Sequence, residues 1–390
     1  MWYLLWLLLP LAALSGWWVG HRSAKGVARR QRTLPRDYFQ GLNYLLNEQP
    51  DRAIEVFTRM VELDEDTVET HLTLGNLFRR RGEADRAVRI HQNLIARPSL
   101  AQEQRAAALL ELARDYLAAG LLDRAETLFL EALEFSEYRT TALQSLLDIY
   151  QQEREWESAI EIAQRLQRIS AGDYGPQMAQ FACEQAEQMI RDHGDSGEIR
   201  QTIRRALGYD RGCVRASLMK CDVEQQENRW RAAIKACQRV ESQDVDYIPE
   251  VLPRLEACYQ ATGDQGRFMA ELYRLLNRYA GVSVIMKLSE CIESRDGRKA
   301  AVEFLATQLR ERPSVRGLDR LIELNISGDD EDRRRQRDLK VLRELFQALL
   351  GDRLPYRCVK CGFEARQLHW QCPGCRSWSS IKPRRGLEGE

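Results

Sequence analysis

A recurring helical pattern constrains the fold of this 390-residue chain more than any other feature. Four alanines follow one another at intervals of 34, 38 and 34 residues: Ala53, Ala87, Ala125 and Ala159. Upstream of each alanine stand two positions three residues apart, the first small or aliphatic and the second aromatic, as in Gly41 and Tyr44. Positions three apart share one face of a helix. One pair of such helices cannot bury its apolar face alone, so successive pairs must stack into a solenoid.

The spacing and the order of these positions resemble the tetratricopeptide repeat (TPR), a helix–turn–helix unit. We therefore predict an all-α fold, a TPR superhelical solenoid. Weaker copies of the pattern continue as far as a last repeat between Cys291 and Leu309. The three copies before it are Ala186 with Ile199 and Ile203, Cys221 with Ala233 and Cys237, and Ala257 with Met269 and Tyr273. After Pro313 the pattern is lost, and a charge-rich turn leads into one more helix that ends near Gly351.

The first twenty residues predict a membrane anchor. Residues 2–20 carry no charge, and as a helix they would extend about 28 Å, close to a bilayer core of roughly 30 Å. Six basic residues follow before the first acid, Asp37, and the positive-inside rule keeps that flank in the cytoplasm. The alternative, a signal peptide cleaved near Ser15, needs a positive N-terminal region, which residues 1–20 lack. We predict one N-terminal transmembrane helix, with nearly all of the chain in the cytoplasm.

Charge and composition argue against two function classes. Lys and Arg together number 58, as do Asp and Glu, so no bulk positive field favours nucleic acid. The sequence contains no Gly-rich phosphate loop, no nucleophile elbow and no H-E-x-x-H motif. We predict that the protein has no catalytic residue, is not an enzyme and works through its surfaces.

Four cysteines near the C-terminus are spaced for one metal ion. They read C-x2-C-x10-C-x2-C, at Cys358, Cys361, Cys372 and Cys375. In the reducing cytoplasm such pairs are more often metal ligands than disulfides, and two CxxC turns supply the four thiolates of a tetrahedral site. Four thiolates suit iron or zinc, and the spacing does not choose between them. A redox dithiol is the weaker alternative, because no thioredoxin-like βαβ pattern surrounds the motifs.

The CxxCG and CPxC turns resemble the knuckles of rubredoxin. Gly362 permits the positive φ that closes the first turn. Two departures weigh against electron transfer: Arg376 stands where rubredoxin usually has glycine, and the spacer between the pairs is short. We expect His369 and Trp370 to pack against the ribbon or a repeat rather than to bind the metal. The prediction is a shortened, rubredoxin-like metal ribbon.

The remaining cysteines and two histidines predict core packing. Six cysteines stand outside CxxC spacing, several where a repeat requires a small apolar residue, and buried free thiols behave in that way. They are Cys183, Cys213, Cys221, Cys237, Cys258 and Cys291. His71 and His91 fall on repeat faces, where a structural role is expected.

The predicted organisation has five parts. They are a transmembrane anchor (1–20), a basic juxtamembrane linker (21–36), a TPR solenoid (37–310), a helical linker (311–353) and a rubredoxin-like four-Cys metal-binding domain (354–390).

An anchor, TPR repeats and a C-terminal ribbon in one chain are similar to the lipopolysaccharide assembly protein B family of Gram-negative bacteria. Local runs agree, including His71-Leu-Thr-Leu-Gly-Asn-Leu-Phe-Arg79 and Trp378-Ser-Ser-Ile-Lys-Pro383. The resemblance covers the whole chain in organisation and length. It implies a single-pass protein of the inner membrane that faces the cytoplasm.

The same resemblance implies a function and a cofactor. The family members are non-enzymatic adaptors that promote degradation of the LpxC deacetylase by the membrane protease FtsH and so limit lipopolysaccharide biosynthesis. Other inner-membrane lipopolysaccharide assembly proteins are further expected partners, and nucleic acid is not. The implied cofactor is one iron ion per chain, with zinc as the alternative, held by the four ribbon cysteines.

Three alternatives remain open. One is a rubredoxin-like electron-transfer protein, based on the CxxCG turn. Another is a TPR scaffold for a different membrane complex. The last is a nucleic-acid-binding zinc ribbon, based on its mixture of aromatic and basic side chains. Those side chains are Trp370, Trp378, Lys382, Arg384 and Arg385.

Overall fold

The computed structural model describes residues 36–47, 49–63, 68–98, 100–279, 281–326, 333–351 and 354–386. The predicted anchor and nearly all of the basic linker lie outside these ranges. Among the described residues, no helix combines the length and the apolar character needed to cross a membrane. The transmembrane helix therefore stays a prediction.

The chain divides into two compact units, residues 1–149 and 150–390. The helices that begin in the first unit are α1 (Arg36–Leu46), α2 (Pro50–Leu63), α3 (Val68–Arg80), α4 (Ala84–Ile95), α5 (Gln102–Ala118), α6 (Leu122–Ala132) and α7 (Arg139–Glu153). Sequential helices pack in pairs, α1 with α2, α3 with α4 and α5 with α6. This is the helix–turn–helix arrangement that the repeat predicts.

Small residues let the paired helices approach closely. A methyl group placed on Gly41 would lie 2.5 Å from the Phe57 ring, and one on Gly75 would lie 2.4 Å from His91. The side chain that meets each glycine thus stands one turn after the repeat alanine. All four of these alanines are fully buried: Ala53, Ala87, Ala125 and Ala159. The TPR-like solenoid prediction is confirmed.

The second unit continues the same architecture. Its helices are α8 (Trp156–Ile169), α9 (Gly175–Arg191), α10 (Ser196–Tyr209), α11 (Val214–Gln226), α12 (Trp230–Gln243), α13 (Ile248–Thr262), α14 (Gln265–Arg278), α15 (Val282–Asp296), α16 (Arg298–Glu311), α17 (Val315–Ile326) and α18 (Arg333–Gly351). A short 3-10 helix, Val245–Tyr247, precedes α13. One apolar cluster runs from α11 to α17, so the stacked pairs share a continuous core.

The weaker repeats are mostly in the predicted register. The paired isoleucines of α10 and the Ala233–Cys237 pair of α12 are buried. The next repeat is correct at Met269, which is buried, but wrong at two positions, because Ala257 is exposed and Tyr273 is 41% exposed. Cys258 and Leu272, each one residue away, fill the core instead. Two adjacent small residues at 257 and 258 made the sequence ambiguous there.

The core-packing prediction is confirmed for most of the cysteines and for both histidines. Five of the six cysteines are buried and Cys291 is half-buried. His71 is also buried, with Nε2 2.9 Å from the Arg97 guanidinium. The fully buried His91 places Nδ1 2.5 Å from an oxygen of Asp115.

Ion pairs join alternate helices of the second unit. In each pair the acid stands on the earlier helix and the base on the later one. The pairs are Asp222 with Arg254 (2.7 Å), Glu256 with Lys287 (2.9 Å) and Glu293 with Arg320 (2.5 Å). Partly exposed pairs contribute at most about 1 kcal/mol each, so their effect is mainly to set the position of one repeat against the next.

The segment assigned as a helical linker, residues 311–353, contains α17 and α18. A methyl group on Gly317 would lie 2.4 Å from Leu309, which shows how closely α17 approaches α16. Leu324 is buried in the shared core. Helix α18 pairs with α17, and Arg343 contacts Asp319 at 3.3 Å.

The C-terminal ribbon is built on a three-stranded antiparallel sheet. Its strands are β1 (Tyr356–Cys358), β2 (Glu364–Ala365) and β3 (Ile381–Pro383), in the order β2-β1-β3. In the register of this sheet Cys358 lies opposite Ile381. The central strand thus ends at the first cysteine, which opens the first CxxC turn.

Candidate metal centre and the surface that holds it

The two CxxC turns have the same backbone geometry. In the first, the N–H of Cys358 donates to the carbonyl of Phe363 (2.7 Å), and the N–H of Gly362 donates to Cys358 (3.0 Å). In the second, Cys372 donates to Ser377 (2.9 Å), and Arg376 donates to Cys372 (2.8 Å). The two knuckles are therefore equivalent, residue by residue.

The residue that follows the second cysteine of each knuckle has a positive φ. Gly362 has φ +78°, and Arg376 has φ +54°. A side chain at positive φ costs roughly 1–2 kcal/mol, which glycine avoids. The positive φ expected at Gly362 is confirmed, and the arginine has not changed the shape of the second knuckle.

The knuckles bring the four predicted cysteines together. Their sulfur atoms all lie within 4.8 Å of one another, and among the described residues no other group of three or more candidate ligands is as close. Two of the sulfur–sulfur distances are 3.7 Å (Cys358 to Cys375) and 3.6 Å (Cys361 to Cys372). A tetrahedron with metal–sulfur bonds of ~2.3 Å has edges of about 3.8 Å. The donor set and its dimensions fit one four-coordinate metal ion.

Exposure differs between the ligands. Cys358 and Cys372 are buried, Cys375 is half-buried and Cys361 is exposed. Burial raises the pKa of the Cys358 thiol, but the Ser380 hydroxyl and backbone N–H groups outweigh it and lower the pKa to about 6. At Cys361 the backbone N–H of Phe363 lowers the pKa, while burial and the other three thiols raise it to about 12. Thiolates at the neighbouring ligands thus oppose ionisation of Cys361, and a bound cation would offset that repulsion.

An indole of the ribbon packs on the repeats. Trp370 stacks on Tyr247, with ring centroids 5.5 Å apart, and the Arg215 guanidinium lies 5.9 Å from its centroid. The packing expected for Trp370 is confirmed. The packing expected for His369 is wrong, because its side chain is exposed; it does not belong to the sulfur cluster. Cation–π and stacking contacts are worth roughly 0.5–1.5 kcal/mol each beyond the area that they bury.

A second indole anchors the other side of the ribbon. Trp378 meets Phe181 edge to face at 6.0 Å, and its Nε1 donates to Gln151 over 3.4 Å. The neighbouring Ser379 hydroxyl accepts a hydrogen bond of 3.0 Å from Gln180. The two indoles thus place the ribbon against Gln151 at the end of α7, against α9 and against the 3-10 helix before α13.

Charged and polar contacts complete this docking surface. Lys382 lies 2.7 Å from Asp244 and 2.9 Å from Asp246, and Arg385 also pairs with Asp246. The Tyr247 hydroxyl donates to the carbonyl of Ile381 at 3.0 Å. Of the side chains that motivated a nucleic-acid interface, the two indoles and these two bases contact the repeats. Arg384 pairs within the ribbon, with Glu364.

The sequence did not indicate which residues of the repeats form this docking surface. Arg215, Gln180 and Tyr247 are ordinary residues of weak repeats, far from the cysteines along the chain. The available signal lay in the ribbon: one indole between the CxxC pairs, and a second indole and three bases after them, belong to a module too small to bury them.

Comparison with known proteins extends this description. Residues 356–383 match the family described as rubredoxin metal binding domain, and residues 70–105 match the tetratricopeptide repeat. Among solved structures, YrrB, described as a TPR protein with an unusual peptide-binding site, is 15% identical with a TM-score of 0.34, and the match covers 54% of this chain and 99% of YrrB.

Whole-chain relatives are much more similar. Lipopolysaccharide assembly protein B of Escherichia coli K12 is 41% identical over 387 residues, which covers 99% of both chains. The protein of the same name from Haemophilus influenzae is 38% identical over 392 residues, covering 97% of this chain and 98% of the relative. The matches span repeats and ribbon alike, and the chain therefore belongs to the lipopolysaccharide assembly protein B family.

Proposed function

We propose that this protein is a membrane-tethered cytoplasmic adaptor in lipopolysaccharide assembly. The observation that carries the proposal is the match to lipopolysaccharide assembly protein B over 99% of the chain. Stacked helical pairs offer extended surface for other proteins, which supports an adaptor rather than an enzyme. In its finer form, the protein promotes degradation of the LpxC deacetylase by the protease FtsH and thereby limits lipopolysaccharide biosynthesis.

In this proposal residues 1–20 hold the chain at the inner membrane as a single-pass anchor. Tethering confines the repeats to the membrane surface and raises their effective concentration near a membrane protease and other assembly proteins. The basic residues between 22 and 36 keep the following chain in the cytoplasm.

The proposed cofactor is one metal ion, iron with zinc as the alternative. Its ligands are Cys358, Cys361, Cys372 and Cys375. When bound, the ion supplies folding free energy to a ribbon that has almost no core of its own. Four thiolates leave no position open for a substrate, which supports a structural role. The ribbon cluster buries few side chains, Ile381 among them, so docking on the repeats supplies further stability.

Turnover of the deacetylase tests the adaptor function. In a bacterium that lacks its own copy of the protein, we expect the full chain to shorten the half-life of LpxC severalfold in an FtsH-dependent manner. Deleting residues 2–20 should abolish the effect, and an unrelated transmembrane helix in their place should restore it. An unchanged LpxC half-life with the full, membrane-bound chain would refute the adaptor mechanism.

Metal analysis tests the ribbon separately. We expect one ion per chain in the purified protein and none in the Cys358→Ser/Cys372→Ser variant, whereas Cys291→Ser should keep its ion. A visible thiolate-to-metal absorption band identifies iron, and a silent spectrum with one ion identifies zinc. A full complement of metal in the double variant would contradict the ligand assignment. A band that cycles reversibly with a physiological reductant would instead favour electron transfer, for which the exposed Cys361 is suited.

A further inference from the structure

Two thiols outside the ribbon lie together, and one of them borders a cavity. The sulfur atoms of Cys183, on α9, and Cys213, directly before α11, are 3.9 Å apart. Cys213 borders a partly open cavity of about 430 Å³, whose other walls include Tyr247 and Trp370. This volume falls in the range of small-molecule sites, roughly 300–1,000 Å³. Cys213 thus lies in the wall of the cavity with 2% of its surface exposed, and the fully buried Cys183 lies behind it.

The surroundings make Cys213 the more nucleophilic of the two. It stands at the N-terminus of α11, where a helix stabilises a thiolate. The amide nitrogen of Gln180 donates to its sulfur over 3.4 Å. The hydrogen bond with Cys183 lowers the pKa of the Cys213 thiol, burial raises it and the backbone N–H of Ala216 lowers it, with a net lowering. Burial raises the pKa of Cys183.

We propose that Cys213 and Cys183 form a dithiol switch that hydroperoxides oxidise to a disulfide. The Cys213 thiol gives up its proton, and the thiolate attacks one oxygen of hydrogen peroxide. The O–O bond breaks, Cys213 becomes a sulfenic acid, and the other oxygen leaves as hydroxide, which takes up the released proton to form water. The Cys183 sulfur then attacks the Cys213 sulfur, the S–O bond breaks, and the departing oxygen takes the Cys183 proton as water. In total two thiols and one peroxide give one disulfide and two waters.

Hydrogen bonds of Gln180 connect the dithiol to the ribbon. Its amide nitrogen donates both to the Cys213 sulfur and to the Ser379 hydroxyl, at 3.4 and 3.0 Å. Closing a disulfide draws the two sulfurs from 3.9 Å to about 2.05 Å and so displaces one acceptor of this amide. Oxidation therefore alters a contact that holds the ribbon on α9.

A second pair of thiols serves as an internal control. Cys221 and Cys237 have sulfurs only 2.6 Å apart, but both lie in the apolar core and neither borders this cavity. Hydrogen bonding with Cys237 raises the pKa of Cys221. If proximity alone governed oxidation, this pair would react first.

The test is timed oxidation of the full-length, metal-loaded protein in detergent. Hydrogen peroxide is added, free thiols are alkylated at intervals, and peptide mass spectrometry identifies the disulfides. We expect the Cys183–Cys213 disulfide to form at least ~tenfold faster than Cys221–Cys237, because thiolate fraction and access set the rate. In the Cys183→Ser variant, dimedone should trap a sulfenic acid at Cys213.

Three results would overturn the proposal. One is equal oxidation rates for the two pairs in the wild-type protein, a comparison that needs no variant to fold. Another is the absence of a dimedone adduct at Cys213 in a Cys183→Ser variant with native circular dichroism. The third is a disulfide that forms only after the metal has left the ribbon, since it would then follow from undocking.

Discussion

Trp370 of the ribbon stacks on Tyr247 of the repeats, with ring planes inclined by 24°. The same tyrosine donates its hydroxyl to the carbonyl of Ile381, on β3. Burial raises the pKa of this hydroxyl, so it remains a donor at neutral pH. One side chain of the repeats thus holds both the loop between the knuckles and the last strand of the ribbon.

Substitution of Tyr247 should loosen the ribbon in two steps. Phe removes only the hydroxyl and should weaken docking by about 1 kcal/mol, whereas Ala also removes the ring and should cost about 3–5 kcal/mol. Hydrogen exchange of the backbone amides of Ile381 and Lys382, on β3, measures the effect. Tyr273→Ala, at a position that is 41% exposed, is the control. Undiminished protection in Tyr247→Ala would show that the stack does not hold the ribbon.

Substitutions at the positive-φ position of each knuckle should change the stability of the ribbon in opposite directions. Gly362→Ala places a side chain at φ +78° and should destabilise the ribbon by about 1–2 kcal/mol. Arg376→Gly relieves φ +54° and should stabilise it by up to about 1 kcal/mol. Competition with a chelator reports both changes as metal affinity. The prediction fails if Arg376→Gly releases the metal as easily as Gly362→Ala.

Glu241 should contribute to stability only above acidic pH. Its hydrogen bond with Arg274 lowers the pKa below the usual 4.5, against burial and with help from Arg278. An acid whose pKa is lowered by folding stabilises fully above its unfolded value, and that contribution is lost as pH falls through the folded pKa. Urea unfolding between pH 7 and 3 should show a shallower loss in Glu241→Gln than in wild type. Glu303→Gln, at an exposed position, should leave the curve unchanged.

The repeat pattern predicted the first three helical pairs because each repeat specifies its own close contacts. Gly41 meets Phe57 and Gly75 meets His91 within a few turns of the chain. The pattern lost register at 257–258, where either of two small residues satisfies the spacing and only three-dimensional packing selects Cys258.

The ribbon could be predicted as a metal module but not as a docked one. Metal-ligand spacing is local, so the sequence itself brings the four cysteines together. Docking joins Trp370 to Tyr247 and Trp378 to Gln151, pairs that lie far apart in the chain. The spacing of residues in one sequence carries no information about such pairs. Proton affinity and exposure of individual thiols, such as Cys213, likewise arise only once helix ends and neighbours are in place.

The stability of the first unit should depend strongly on one buried carboxylate, that of Asp115. Asp115 is fully buried, contacts Arg79 at 2.6 Å and lies 2.5 Å from His91. Asp115→Ala leaves the guanidinium and the imidazole without it, which should cost about 3–5 kcal/mol. Asp123→Ala, at an exposed position of α6, should change stability by less than about 0.5 kcal/mol. The melting temperatures of both variants, measured by thermal unfolding, test this prediction. Similar melting temperatures would mean that Asp115 is dispensable and that packing alone holds these helices together.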